Sequence, residues 1–267
     1  MTYLQHFALT RYPFQTLAAT DELFPSQAGA ETQTRLQHLL ELRGIGLLTG
    51  EVGCGKTTAC RQFAASLHPG LFRLAYVSLT TGSVLDMYQT LAWELGLQPQ
   101  RSRAAAYRAL REEIARLARE AGQLPVLIID EAHNLRNDVL EELRLLTSFQ
   151  MDAERCLCLL LVGLASLRKR LAMAVHESLG QRIAVQHQLC GLARDELEPY
   201  LAHRLHLAGC ELPLFEPNAL EALFQASRGL PRQIDRIAHF ALAAAACAQT
   251  RQVAAEQLEQ ACAEVRL

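Results

Sequence analysis

Apolar, strand-like runs alternate with amphipathic helical patterns along the first two thirds of the chain. Short apolar runs bounded by glycine or polar residues are typical of strands, and apolar positions three and four apart indicate helices. By these rules the sequence predicts strands at 45–49, 74–79, 126–130, 156–162 and 182–189. It predicts helices between them at 56–67, 84–95, 103–121 and 137–149. This alternation favours an α/β fold in which helices flank a parallel five-stranded sheet.

The pattern changes after residue 189, where helical periodicity continues without further strand-like runs. Four helical segments follow, "ARDELEPYLAHRLHLAG", "PNALEALFQASRG", "LPRQIDRIAHFALAAAACAQ" and "AAEQLEQACAEVR". We therefore expect an α/β domain at 1–189 and a small C-terminal α-helical domain at 190–267. A chain of 267 residues, of which 50% are apolar, can bury one large core and a smaller companion.

A glycine-rich loop joins the first predicted strand to the helix that follows it. Residues 50–57 fit the phosphate-loop pattern G-x-x-x-x-G-K-[ST], in the strand, loop and helix context that this pattern requires. Its backbone amides can wrap phosphate oxygens, while Lys56 neutralises the β and γ phosphates and Thr57 holds Mg²⁺. The predicted nucleotide contacts are Gly50, Glu51, Val52, Gly53, Cys54, Gly55, Lys56, Thr57 and Thr58.

Two adjacent acids follow the third predicted strand in "PVLIIDEAHNLR". A continuous apolar run is typical of a central strand, and ligands bind at the carboxyl ends of such strands. We expect Asp130 to bind the magnesium and Glu131 to polarise an attacking water, in preference to a helix-capping role. His133 is compatible with two roles, a sensor of the γ-phosphate or a solvated loop residue.

The same letters, DEAH, are the label of a helicase family. A helicase of that kind needs two sheet domains with the nucleotide between them, and this chain has room for one. The sequence therefore favours a nucleotide machine with one sheet domain, whose remaining catalytic charge comes from a neighbouring copy.

Composition and charge narrow the class of protein further. The net charge of −2 gives no chain-wide basic field, and only Lys56 and Lys169 among the 26 basic residues are lysine. Eight scattered cysteines predict reduced core thiols, and Cys156 and Cys158 favour the core over zinc because no second pair accompanies them. The N-terminus lacks a signal-peptide pattern, and the apolar runs are too short to span a bilayer. We expect a cytoplasmic protein with no membrane contact.

These motifs together resemble the AAA+ superfamily, and more narrowly the ExeA-type ATPases and the TnsC and MuB transposition regulators. The resemblance rests on "GEVGCGKTT", "LIIDEAHNL", "LGQRIAVQHQL", "GLPRQIDRIAHFAL" and the start "YLQHFALTRYPF". It implies an ATPase that uses ATP and Mg²⁺ and assembles as a homo-oligomeric ring or filament. It also implies that the helical domain is a lid and that segment 1–30, with Phe14 among its aromatics, frames the adenine.

The resemblance assigns catalytic roles to two arginines. Arg182 is implied as a finger that reaches the γ-phosphate of the next subunit, and such fingers contribute about 10³ to 10⁵ in rate. Arg232 is implied to contact the nucleotide and to couple its state to the lid angle. One departure is Leu164, which follows Gly163 where relatives place a polar residue that positions the water. With Ser166 as a weak substitute, slow hydrolysis is expected.

The resemblance implies work on duplex DNA as a helper of transposition, with a transposase as partner, because the chain stops after the lid. The candidate DNA contacts are Thr80, Thr81, Ser83, Arg101 and Arg103. Ordinary helix caps and solvated arginines explain the same residues equally well. The cluster 168–170 favours a solvated helix face over DNA or a neighbouring subunit. The alternatives are a secretion or envelope-assembly ATPase with protein partners, and a nucleotide-switched scaffold that hardly hydrolyses.

Overall fold

The computed structural model describes residues 2–14, 19–78 and 82–265 of the chain. The predicted DNA contacts Thr80 and Thr81, and residue 79 of the predicted second strand, lie outside these ranges. The strands in the described residues are β1 (Ile45–Gly50), β2 (Phe72–Ser78), β3 (Leu124–Asp130), β4 (Cys158–Gly163) and β5 (Ile183–Leu189).

The α-helices in the described residues are numbered in chain order. They are α1 (Tyr3–His6), α2 (Gln27–Leu42), α3 (Lys56–Ser66), α4 (Val84–Glu94), α5 (Arg103–Arg119), α6 (Asn137–Thr147), α7 (Ala165–Leu171), α8 (Glu177–Gly180), α9 (Leu197–Leu207), α10 (Pro217–Ser227), α11 (Pro231–Cys247) and α12 (Ala255–Val265).

The five strands form one parallel sheet in the order β2-β3-β4-β1-β5. The strands β1, β3 and β4 are buried along their whole length, because helices cover both faces of the sheet. The edge strands β2 and β5 are partly exposed. The predicted α/β class and the parallel five-stranded sheet are confirmed.

Some element bounds differ from the predicted ones for reasons of strand pairing. The fourth strand begins at Cys158 and not at Cys156, because its pairing with β3 starts at Val126 opposite Cys158. The fifth begins at Ile183, which is the first residue opposite Ile45 of β1.

Helix α2 was not predicted from the sequence. Its surface is mostly polar, and just four of its side chains, all in the last three turns, are buried.

Contacts between Cα atoms divide the chain into two compact units. The α/β unit consists of Glu31–Val52 and Lys56–Leu189, and the helical unit consists of Met1–Ala30, Gly53–Gly55 and Cys190–Leu267. From sequence, segment 1–30 is expected to belong to the α/β domain. The segment groups with the helical unit because its apolar side chains Tyr3, Leu9 and Phe14 are buried in that unit's core.

The helical unit contains α9 to α12, the four helices that the pattern after residue 189 predicts. Two glycines allow a close backbone contact at its start. A Cβ on Gly191 would lie 2.5 Å from the Gly229 carbonyl oxygen, and the amide of Leu192 donates to that oxygen at 2.7 Å. Gly229 has a φ of +73°, which favours glycine.

Neither unit contains, in its described residues, a helix with the length and apolar character that a membrane crossing requires. The eight cysteines all lie in the described residues, and none of them forms a disulfide. Cys156 and Cys158 are buried in the core of the α/β unit, as expected for core thiols.

Candidate functional site

The strand order brings three strand ends together at the carboxyl edge of the sheet. β4 lies between β1 and β3, with Thr49 of β1 opposite Gly163 and Ile129 of β3 opposite Leu161. The glycine-rich loop that leaves β1 and the two acids that end β3 therefore flank the end of β4. This edge is where ligands bind in open parallel sheets.

The glycine-rich loop has the backbone conformations that its sequence predicts. Gly53 has a φ of +83° and Gly55 a φ of +103°, a region that side chains disfavour. A Cβ on Gly55 would meet nothing within 4 Å, so that glycine is required by its backbone angle and not by crowding. Helix α3 begins at Lys56, so its N-terminal amides and partial positive charge lie at the loop.

The loop side chains differ in exposure. Cys54 is buried, Glu51 and Val52 are exposed, and Thr58 is half-buried. Backbone amides can provide contacts whatever the exposure of these side chains, which is how phosphate loops bind anions.

Lys56 is held inside the loop. Its side chain is buried at 8% exposure, and Nζ donates to the carbonyl oxygens of Gly50 at 3.1 Å and Glu51 at 2.8 Å. These bonds use two of the three N–H donors of the ammonium group. The positive charge is therefore fixed at the loop with a donor in reserve for an anion.

Thr57 and Asp130 form the oxygen pair that the sequence predicts for magnesium. The Thr57 hydroxyl donates to Asp130 Oδ2 at 2.9 Å, although the two residues are 73 positions apart. Asp130 is 2% exposed, and its Oδ1 accepts from the Glu131 amide at 2.8 Å. One hydroxyl and one carboxylate suit Mg²⁺, which binds through one or two carboxylates and substrate phosphates. The residues present therefore fit this ion.

A third group on the Asp130 carboxylate is Tyr76, which the sequence analysis missed. Its hydroxyl donates to Oδ2 at 2.8 Å. Burial, and then the hydrogen bond to Asp130, raises the pKa of Tyr76 well above its usual value. Burial, and then the charge of Asp130, also raises the pKa of the nearby Cys60 thiol to about 12, so that thiol stays neutral. A tyrosine in an edge strand gives no signal in sequence that it will reach the acid of the next strand.

Glu131 adopts a left-handed conformation with a φ of +54° immediately after β3. Its side chain is 43% exposed, and its Oε2 lies 3.4 Å from Nδ1 of His133. The distance allows a contact, but the Nδ1 atom is buried and has no hydrogen-bond partner among the described residues. The residue predicted to act on water is thus accessible, and the histidine lies beside it and not in solvent.

Arg182 is held by its own chain. Its guanidinium donates to both carboxylate oxygens of Asp152 and, at 2.6 Å, to the Ser148 hydroxyl, with its side chain 31% exposed. Hydrogen bonds from Arg182 and then from Ser148 lower the pKa of Asp152. Neither partner was predicted, because Asp152 lies in a left-handed turn that no sequence pattern marks.

The two remaining nucleotide candidates lie in the helical unit. Arg232 is exposed near the start of α11, and its amide donates to the Gly53 carbonyl at 3.2 Å. Phe14 is 5% exposed and packs edge-on against Phe215, with the ring centroids 6.4 Å apart. The aromatic ring of Phe14 is therefore part of that unit's core.

The described DNA candidates do not gather into one surface cluster of free side chains. The Ser83 hydroxyl caps α4 through a reciprocal pair of bonds with Asp86. Arg103 forms an ion pair with Glu142, whereas Arg101 is exposed in the loop before α5.

The segment after β4 also differs from its predicted description. Leu164 is the residue before α7 and is half-buried, and Ser166 is exposed. Arg168 and Lys169 are exposed, in agreement with a solvated face. Arg170 departs from that face: two of its guanidinium nitrogens are buried, and Nη1 donates to the His133 carbonyl at 3.1 Å.

Comparison with known proteins agrees with this geometry. The profile of a family described as AAA domain matches residues 38–171. Over 247 residues the chain is 34% identical to General secretion pathway protein A of Aeromonas hydrophila, which covers 91% of this chain and 45% of the relative. Over 123 residues it is 34% identical to ATP-dependent target DNA activator B of Escherichia phage Mu, which covers 43% of this chain and 37% of the relative. The chain spans less than half the length of these curated relatives.

The fold is similar to that of Cdc6p from Pyrobaculum aerophilum, with a TM-score of 0.69 at 19% identity, over 93% of this chain and 71% of that one. The AAA profile spans β1 to β4, the strands that carry the glycine-rich loop, Asp130 and Glu131. The resemblance found in the sequence is confirmed: the chain belongs to the AAA+ family of P-loop ATPases, which use ATP with Mg²⁺.

Proposed function

We propose that this chain hydrolyses ATP as an assembly of copies, and that the assembly acts on duplex DNA as a helper of transposition. The observation that carries the ATPase part is the group of Lys56, Thr57, Asp130 and Glu131 at one edge of the sheet. Each has the chemistry that phosphoryl transfer to water requires at that place.

Each residue of this group has a separate task. The loop amides and Lys56 bind the phosphates and balance their charge. Thr57 and Asp130 would hold Mg²⁺, which supplies positive charge to the phosphate oxygens when bound. The exposed carboxylate of Glu131 orients the attacking water and accepts its proton.

Arg182 supplies the last positive charge to the site of a neighbouring copy. To do so it must leave Asp152 and Ser148 of its own chain. A solvent-screened ion pair of this kind contributes little to stability. A finger that raises the rate about 10³- to 10⁵-fold lowers the barrier by about 4 to 7 kcal/mol. The exchange is therefore favourable to catalysis, and hydrolysis depends on assembly.

Two residues of the helical unit, Arg232 and Phe14, are also assigned roles in nucleotide binding. The Arg232 side chain is exposed at the start of a helix whose amide already bonds to Gly53. We assign Arg232 to nucleotide sensing and Phe14 to the segment that frames the adenine. The buried Phe14 ring anchors that segment.

The ATPase part is tested by three variants. Glu131→Gln is expected to keep ATP binding and to stabilise the assembly while stopping turnover, and surviving turnover would show that another base acts. Arg182→Ala and Lys56→Ala are each expected to be inactive alone and to regain activity when mixed. Co-assembly of the two variants without rescue would exclude a role for Arg182 in trans. Arg136→Ala, which removes another exposed surface ion pair, is the control.

The DNA part is supported by the similarity to a protein named as an ATP-dependent target DNA activator and by the exposed cation Arg101. Cations of this kind bind phosphates without reading bases, and an assembly repeats each of them. The proposal includes a transposase as partner and a cytoplasmic location. Duplex DNA should be retained with a non-hydrolysable ATP analogue and released by salt.

A second candidate function has its own support. The relative that aligns with 91% of this chain is named as a secretion pathway protein. On that reading the assembly works on protein partners without nucleic acid. The absence of salt-sensitive DNA binding in the presence of the ATP analogue would favour this candidate over transposition.

A further inference from the structure

Neither Gly163 nor Leu164, at the end of β4, has a polar side chain that could help position water. The His133 side chain, from the turn after β3, lies at this place instead. Gly163 ends the strand and Leu164 follows it. A Cβ on Gly163 would lie 3.2 Å from the His133 amide nitrogen and 3.4 Å from its Nδ1. Because Gly163 has no side chain, the His133 ring can lie directly against the end of β4.

The position of the His133 ring is fixed by its surroundings. The side chain is 15% exposed, and Nδ1 is buried without a hydrogen-bond partner among the described residues. A buried polar atom without a partner is destabilising, so such an atom calls for an explanation. The nearest charged group is the Glu131 carboxylate, whose Oε2 is 3.4 Å away.

Arg170 of α7 holds the backbone of the same turn. Its Nη1 donates to the His133 carbonyl at 3.1 Å, while its Nε and Nη2 atoms are buried without partners within the described ranges. Burial lowers the pKa of this guanidinium. A buried cation that donates to the His133 carbonyl fixes the path of the turn at this residue.

From this arrangement we infer that His133 is the positioning residue for Glu131, in the place that a polar residue after β4 would otherwise occupy. With the proton on Nδ1, the ring donates a hydrogen bond to Glu131 Oε2 once the carboxylate moves by a few tenths of an ångström toward the ring. This bond holds the carboxylate toward the attacking water. The inference rests on the proposed role of Glu131 as the base in ATP hydrolysis.

The chemistry of the side chain permits a matched pair of variants. The amide nitrogen of asparagine lies the same two bonds from Cβ as Nδ1, whereas that of glutamine reaches the place of Nε2. His133→Asn is therefore expected to retain at least a third of the wild-type kcat. His133→Gln and His133→Ala should lower kcat roughly 10- to 100-fold with KM for ATP changed less than threefold. His38→Ala, at an exposed histidine of α2, is the control.

A purely structural role would give a different result. Loss of packing would lower stability and activity in parallel and would not distinguish asparagine from glutamine, so chemical unfolding of each variant is measured beside its kinetics. Equal kcat for His133→Asn and His133→Gln, or a wild-type kcat for folded His133→Ala, overturns the inference.

A double variant separates this inference from the proposed function. Single-turnover measurements with excess enzyme detect the very slow hydrolysis, far below the wild-type rate, that remains when Glu131→Gln stops steady-state turnover. In this background His133→Ala should cause no further loss of that rate, because the carboxylate that it positions is gone. A further tenfold loss would show that His133 acts independently and would overturn the inference alone. If the wild-type protein with Mg²⁺ does not hydrolyse ATP, or if Glu131→Gln does so normally, the proposed function fails and this inference fails with it.

Discussion

Arg103 forms an ion pair with Glu142, and removing the arginine should destabilise the α/β unit. From sequence, this arginine is a candidate DNA contact or a solvated side chain; in the structure it is paired with Glu142. The Glu142 side chain is 10% exposed and also accepts a hydrogen bond from the Tyr88 hydroxyl, whereas Arg103 is 63% exposed. Arg103→Ala would leave a nearly buried carboxylate with one neutral donor.

The magnitude follows from the two exposures. Breaking a fully buried pair costs about 3 to 5 kcal/mol, and exposed pairs contribute roughly 0–1 kcal/mol. Because one partner is buried, the other is solvated and Tyr88 keeps its bond, we expect Arg103→Ala to lower the free energy of unfolding by about 1 to 3 kcal/mol. At about 2 to 4 °C per kcal/mol, the transition of the α/β unit should fall by several degrees.

The assay is urea unfolding followed by circular dichroism, with two matched controls. Arg101→Ala, at an exposed position before the same helix, should change stability by less than about 0.5 kcal/mol. The double variant with Glu142→Gln should recover more than half of the loss, because it removes the uncompensated charge. Unchanged stability of Arg103→Ala, together with a loss of DNA affinity equal to that of Arg101→Ala, would refute the structural role.

Three further predictions concern other parts of the molecule. Tyr76→Phe should lower the free energy of unfolding by about 1 kcal/mol in urea titrations, because Asp130 loses one of its two side-chain donors and Tyr76 is only partly exposed. An unchanged free energy of unfolding would mean that this hydrogen bond is no more stabilising than hydrogen bonds to water. Burial raises the pKa of Asp235 to about 6, above its value in the unfolded chain. Between about pH 4 and 6 the folded state therefore binds more protons than the unfolded state, and stability falls as the pH rises through that window. Compared with Asp235→Asn, the wild-type protein should lose up to about 3 kcal/mol between pH 4 and 7, and parallel stability curves would contradict the shift. Gly53→Ala should be more destabilising than Gly122→Ala. Both glycines have a positive φ, but a Cβ on Gly53 would lie 2.7 Å from the Cβ of Arg232, whereas a Cβ on Gly122 would meet nothing within 4 Å. Equal losses of unfolding free energy would show that this steric contact has no effect.

The elements that the sequence predicted best are those whose local pattern is strong. The first four residues of "VLIID" are apolar, and the strand that ends at Asp130 is buried along its whole length in the sheet. The loop before Lys56 has the positive φ angles that its glycines allow. Helix α2 was missed because its mostly polar surface carries a weak periodicity, and its burial comes from packing under β1, where Leu39 contacts Gly46.

Partners far apart in sequence were beyond prediction. Tyr76 meets Asp130, Arg182 meets Asp152 and Arg170 meets the His133 carbonyl, over separations of 54, 30 and 37 residues. No local pattern specifies such a contact, because it depends on strand register and on the path of a turn.

The sequence by itself determined which residue types follow which strands: the glycine loop after the first, the acid pair after the third, and a leucine where the fourth offers no polar group. These features are local, since periodicity and backbone freedom are properties of neighbouring residues. The tertiary structure alone decided which charges are already engaged and which remain exposed, and it placed the His133 ring at the bare end of β4. Those outcomes depend on the strand order β2-β3-β4-β1-β5, which brings distant segments to one sheet edge.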